Sequence, residues 1–83
     1  MIVSFNANGG SGSMSVLNID GSKKLSPNCF YRAGYNFAGW ATTADGAVVY
    51  TDGQEVTATN EDKGPVTLYA KWTRERALLS RGK

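Results

Sequence analysis

Asp45, Asp52 and Glu55 lie close enough in the chain to suggest a calcium loop, which draws several carboxylates from about twelve residues and ends in a bidentate Glu. Between them, however, Val48-Val49-Tyr50 is strand-like, and each Asp precedes a glycine, in Asp45-Gly46 and Asp52-Gly53. Turn chemistry therefore accounts for both aspartates better than ligand chemistry does. Ala7-Asn8-Gly9-Gly10-Ser11-Gly12 invites a phosphate-loop reading, but that loop needs Gly-Lys-Ser/Thr opening a helix. No Lys follows, and Met14 to Ile19 alternates like a strand, so these glycines predict a hairpin turn. Glu61-Asp62 lies beside Lys63 in a polar stretch, where a solvated turn is expected rather than an acid–base pair. Histidine is absent and Cys29 is the single cysteine. That removes Ser-His-Asp and Cys-His nucleophiles, the usual zinc sets and an internal disulfide, and predicts Cys29 as a semi-buried packing thiol. No catalytic, cofactor-binding or metal-binding residue is expected, and the chain reads as a non-enzyme.

Binding chemistry leaves two candidates. Trp40, Trp72, Tyr69 and Tyr50 could form a sugar-stacking platform on a sheet. Against this stands the size of the chain, 83 residues with two Trp, four Tyr and three Phe. A domain this small, without a disulfide, needs its aromatics inside, and both Trp40 and Trp72 are expected to be largely buried. The second candidate is the C-terminal segment, where Arg74, Arg76, Arg81 and Lys83 stand against Glu75 alone. The formal net charge of +2 is thus a property of the tail, and the rest of the chain is close to neutral. A linker or chain extension accounts for the tail more simply than a polyanion site does, although any polyanion affinity is expected there.

The elements that must position these residues are strands. Charged residues are 19% and hydrophobic ones 41%, which excludes intrinsic disorder, and no apolar run is long enough to cross a bilayer. No charged-then-apolar leader follows Met1. Ile2 to Ala7 alternates with Val3, Phe5 and Ala7 on one face, so residues 2–19 predict a hairpin with a slightly long loop. Ser22 to Asn28 has no clear period and fits a short helical turn or an irregular connection. Tyr35 to Thr42 predicts a strand with Tyr35, Phe37 and Ala41 on one face and Gly39 marking a bulge or a close backbone approach. Val48 to Tyr50 and Glu55 to Thr57 read as short strands, 60–65 as a surface loop, and Val66 to Thr73 as the clearest strand of all.

In this order the fragments form a pattern: Phe5-Asn6-Ala7-Asn8-Gly9-Gly10, then Arg32-Ala33-Gly34-Tyr35-Asn36-Phe37-Ala38-Gly39-Trp40, then Thr42-Thr43-Ala44-Asp45-Gly46 with Tyr50, then Leu68-Tyr69-Ala70-Lys71-Trp72-Thr73. The ordered set resembles the Listeria–Bacteroides repeat, also called the internalin B repeat, over about Ile2 to Thr73. Cys29 and Tyr31 stand where that family usually has smaller or hydroxyl-bearing residues. The resemblance implies a mostly β to α+β fold, a small β-grasp-like sheet with at most one short helix. It implies a domain over 1–73 and a basic tail or linker over 74–83. It also implies a non-catalytic structural or adhesive module of a bacterial cell-surface or secreted protein, exported with its parent. Implied partners are a protein or cell-surface polymer and neighbouring repeats in a longer chain, with no specific nucleic acid, no membrane span and no cofactor. A carbohydrate- or wall-polymer-binding module using exposed aromatics is the alternative. The family's pattern carries no catalytic residue. Its positions here are structural ones: Phe5, Gly9, Gly10, Gly34, Tyr35, Phe37, Gly39, Trp40, Asp45, Gly46, Tyr50, Leu68, Tyr69 and Trp72.

Overall fold

The computed structural model describes residues 1–58 and 65–75. The surface loop expected at 60–65, with Glu61-Asp62, lies outside the described residues apart from Pro65, as does the tail beyond Glu75. Six strands follow in chain order: β1 (Ile2–Asn6), β2 (Leu17–Asn18), β3 (Ser22–Lys24), β4 (Tyr35–Ala41), β5 (Glu55–Thr57) and β6 (Val66–Arg74). They build a four-stranded sheet in the order β2-β1-β6-β4 and a two-stranded sheet of β3 and β5. The fold is mostly β, and no helix occurs among the described residues.

β6 is the axis of the larger sheet. β1 runs parallel to its first half, from Val3↔Val66 to Asn6↔Tyr69, while β4 runs antiparallel to its second half, from Ala41↔Tyr69 to Tyr35↔Arg74. The strand expected from Val66 is present and alternates: Leu68 and Ala70 are buried and Val66 and Trp72 half-buried on one face, with Thr67 and Thr73 exposed on the other. Val3, Phe5 and Ala7 likewise point to the core, with Val3 fully buried. Residues 2–19 do form a hairpin, but β2 pairs only at Ile2↔Asn18 and Val3↔Leu17, and Ile19 N–H adds a bond to Met1 O at 2.8 Å. Its loop is longer than the sequence suggests because the glycine segment turns away to bridge Ser11 to Tyr31.

Three local expectations are corrected. Ser22 to Lys24 is neither a helical turn nor irregular but a strand, paired Ser22↔Thr57 through Lys24↔Glu55. All three of its residues are exposed, so no buried face imposes a period on the sequence. Val48 to Tyr50 is not a strand; Tyr50 makes an isolated bridge to Trp40. In β4 the register shifts between Phe37 and Gly39, so Phe37 opposes Trp72 and Trp40 opposes Ala70. An extra residue at a bulge reverses the alternation that follows it. Phe37 and Trp40 therefore share the core face, whereas simple alternation separates them, and Ala41 falls on the other face from Phe37.

The core lies between the two sheets. Trp40 is its centre, at 0% exposure, with Ile19, Leu25, Phe30, Val56 and Leu68 buried in the same cluster. The Trp40 ring meets Phe5 at 4.9 Å, Phe37 at 4.8 Å and Phe30 at 6.0 Å between centroids, tilted by 55–71°. Tilted and edge-on contacts suit the ring quadrupoles, and each pair contributes about 0.5–1.5 kcal/mol beyond area burial.

Candidate functional site

Past the Asn6↔Tyr69 pair, β1 leaves β6, and the second half of β6 loses its neighbour on that side. The glycine loop fills the gap. Asn8 takes φ 49°, a conformation Asn tolerates, and its N–H bonds Asn6 Oδ1 at 2.7 Å. Its side-chain Nδ2 donates to Ala70 O at 2.9 Å and to Ala44 O at 3.1 Å. Lys71 Nζ donates to the same Ala44 oxygen at 3.0 Å, and Trp72 Nε1 donates to Ala7 O at 3.0 Å. Gly10 completes the seal, since a Cβ there would lie 2.7 Å from Trp72 Cζ2 and 3.0 Å from Tyr31 O. The loop that resembled a phosphate cradle is thus occupied by the protein's own indole and amide groups.

Asn8 ties three distant segments together, which motivates a prediction. Asn8→Ala should lose about 2–5 kcal/mol, from two long-range hydrogen bonds at about 0.5–1.5 each and from left-handed strain of about 1–2. Asn8→Gly keeps the backbone conformation and should lose only the bonds, about 1–3 kcal/mol. Urea unfolding compares the two, and equal losses would show that the backbone carries no strain.

Arg32 stands over the same loop. Its guanidinium carbon lies 3.9 Å from the Tyr35 ring centroid, and a Cβ on Gly9 would meet Nη1 at 3.2 Å. The planar group is held between an aromatic face and a bare backbone, with Gly9 at φ 99°. The turn that delivers Tyr35 closes with Tyr35 N–H to Arg32 O at 3.1 Å and has Gly34 at φ 83°. Sequence reasoning noted Arg32 and Asn8 as pattern residues without roles, because both act through partners far along the chain.

The four aromatics considered for a platform do not assemble one. Trp40 is fully buried, and Trp72 is half-buried against Phe37 at 5.8 Å, less enclosed than expected. Tyr69 occupies the opposite face of β6 from Trp72, as alternate strand positions must. Tyr50, half-buried, lines a cleft of about 190 Å³ between the sheets together with Val3, Leu25, Thr42, Val56 and Leu68. This cleft is smaller than the roughly 300–1,000 Å³ of a typical small-molecule site, and its walls are mainly apolar.

Asp45 is exposed in a turn closed by Gly46 N–H to Thr43 O at 3.2 Å. Asp52 Oδ1 accepts the Asn28 N–H at 2.9 Å. Among the described residues, no group of three or more His, Cys, Asp or Glu comes together. Calcium, zinc or ATP should therefore leave the melting temperature unchanged, whereas a ligand specific to the native state must raise it. A concentration-dependent rise with calcium would restore the ligand reading of Asp45 and Asp52. Cys29, expected half-buried, is exposed, with its thiol 3.6 Å from Pro27 O, because the Ser11–Tyr31 bridge holds this segment at the rim.

No curated protein and no solved structure matches the chain. The family model of the Listeria-Bacteroides repeat domain matches residues 2–71, which contain every pattern residue above except Trp72 and Thr73. That family is found in bacterial surface proteins and is generally a non-catalytic module. The ordered glycines, aromatics and strands of this fold and the matched span lead to one conclusion: the chain belongs to the Listeria-Bacteroides repeat domain family.

Proposed function

We propose that the chain is a non-catalytic structural and adhesive module, a spacer or protein-interaction repeat of a bacterial cell-surface or secreted protein. The pattern residues act in the fold itself. Gly9, Gly10, Gly34 and Gly39 permit turns and close approaches, Asp45 and Gly46 shape a turn, and Phe5, Phe37, Trp40, Leu68 and Trp72 pack. Tyr35 carries Arg32, Tyr50 bridges Trp40, and Tyr69 pairs with Asn6 and Ala41. Repetition of such a pattern preserves a shape rather than a reaction.

One observation supports the spacer reading most directly. β1 and β6 are parallel neighbours, so the chain enters the sheet beside Val66 and leaves it at Arg74, the opposite end. Copies joined end to end then extend rather than fold back. Small-angle scattering from joined copies of one, two and four modules tests this: the maximum dimension should grow in proportion to copy number. Collapse of the four-copy chain into a compact particle would sink the spacer reading.

A further inference from the structure

At the end of the sheet where β6 finishes, the core face continues past the core as a row of two residues, Tyr35 and Arg74, cross-strand partners beside the Phe37–Trp72 pair. Arg32, in the turn before β4, covers the Tyr35 ring, and Arg74 is the backbone partner of Tyr35 across the ladder, so two arginines border one residue. Among the described residues no carboxylate forms an ion pair with either arginine. Arg74 is exposed and Arg32 half-buried, the latter fixed on one side by Tyr35 and on the other by Gly9. The acidic residues Asp20, Asp52 and Glu55 belong instead to the turns and strands of the two-stranded sheet, and exposed Asp45 to the turn whose Ala44 carbonyl is held by Asn8 and Lys71. Glu75 is the one nearby carboxylate in sequence, and its N–H bonds Gly34 O at 2.9 Å at this same end. Arg76, Arg81 and Lys83 follow it in sequence.

We propose that Arg32 and Arg74, set around Tyr35, form a docking surface for an acidic polysaccharide, a linear glycan carrying repeated sulfate or carboxylate groups. A guanidinium already stacked and restrained loses little freedom when it accepts an oxyanion across its two-pronged edge. Arg74, exposed on the same face, supplies a second cation, and two neighbouring cations suit consecutive anions of a linear polymer. Nucleic acid fits less well: single strands need open aromatic faces for their bases, and Arg32 already covers the face of Tyr35. The site is independent of the spacer reading, since its loss leaves the fold and the end-to-end arrangement intact.

Heparin oligosaccharide is the probe, titrated calorimetrically into the full chain at several salt concentrations. Arg32→Gln and Arg74→Gln should each weaken binding about five- to tenfold and lower the salt slope by about one, while Lys23→Gln on β3 should change little. Arg32→Lys keeps the charge but loses the fork and the stack, and should still weaken binding about threefold. A chain ending at Glu75 should keep most of the affinity, contrary to the expectation from sequence that the tail carries it. Melting curves accompany each variant, and exposed Arg74 provides the test should Arg32→Gln fold poorly. The proposal is overturned if Lys23→Gln weakens binding as much as Arg74→Gln does, or if truncation after Glu75 abolishes it. It is equally overturned if Arg32→Lys binds as the parent does, or if single-stranded DNA of matched charge binds as tightly as heparin.

Discussion

Trp40→Ala should strip the protein of a large part of its stability. The indole is fully buried and touches Phe5, Phe30 and Phe37, so its removal deletes the centre of the core and three ring contacts together. Loss of a buried aromatic costs about 3–5 kcal/mol, against a total stability of about 4–12 kcal/mol for a chain of this length. The surrounding sheet cannot close over the gap, because β4 is fixed to β6 on one side and Tyr50 bridges it on the other. Trp40→Phe should behave differently. Nε1 of Trp40 is buried without a hydrogen-bond partner among the described residues. An orphaned donor costs about 1–3 kcal/mol, so phenylalanine recovers part of what its smaller ring loses. Its net loss should stay below about 2 kcal/mol. Circular dichroism during urea unfolding reads both variants without relying on tryptophan fluorescence, and equal losses would show that the unpaired N–H carries no cost.

Gly39→Ala should be nearly as damaging although it adds one methyl group. Gly39 lies at φ 144°, and a Cβ there would stand 2.6 Å from Val48 Cγ1 and 2.7 Å from Tyr50 O. The valine can rotate, but the Tyr50 carbonyl is fixed by accepting the Trp40 N–H at 2.8 Å. Backbone strain and overpacking together should cost about 2–5 kcal/mol. In a domain of this size that lowers the melting temperature by roughly 10–30 °C. The double variant Gly39→Ala with Val48→Ala should recover the side-chain clash and leave the carbonyl clash in place. A melting temperature for Gly39→Ala within about 2 °C of the parent would refute the close approach, since even 1 kcal/mol shifts it about 4–8 °C.

Much of the sheet was legible because period-2 burial writes itself into sequence. Val66 to Thr73 and Ile2 to Ala7 each bury one face, and both read as strands, the second with Val3, Phe5 and Ala7 together on one side. Gly39 announced an irregularity, yet its effect on the faces of β4 was not readable. One extra residue reverses all that follows, and only the pairing with β6 shows where the reversal begins. β3 left no trace since it buries no side chain. The candidate functional residues were hidden for another reason. Asn8 reaches Ala44 and Ala70, and Arg32 meets Tyr35 and Gly9, through contacts that a linear pattern does not encode. The aromatic platform failed on the same alternation that revealed β6: Tyr69 and Trp72 are close in sequence but lie on opposite faces.

The parallel pairing of β1 with β6 governs how the module yields when its ends are pulled apart. Tension entering at Ile2 and leaving at Arg74 acts along both strands in opposite directions, so they are sheared past one another. The ladder bonds between Val3↔Val66 and Asn6↔Tyr69 then share the load and must rupture together, whereas a hairpin pulled open at its mouth surrenders its bonds one at a time. The bonds of Asn8 and Trp72 to Ala70 and Ala7 lie beyond the end of this pair and act as a further latch against sliding. A module built this way is stiffest along the line through its two ends.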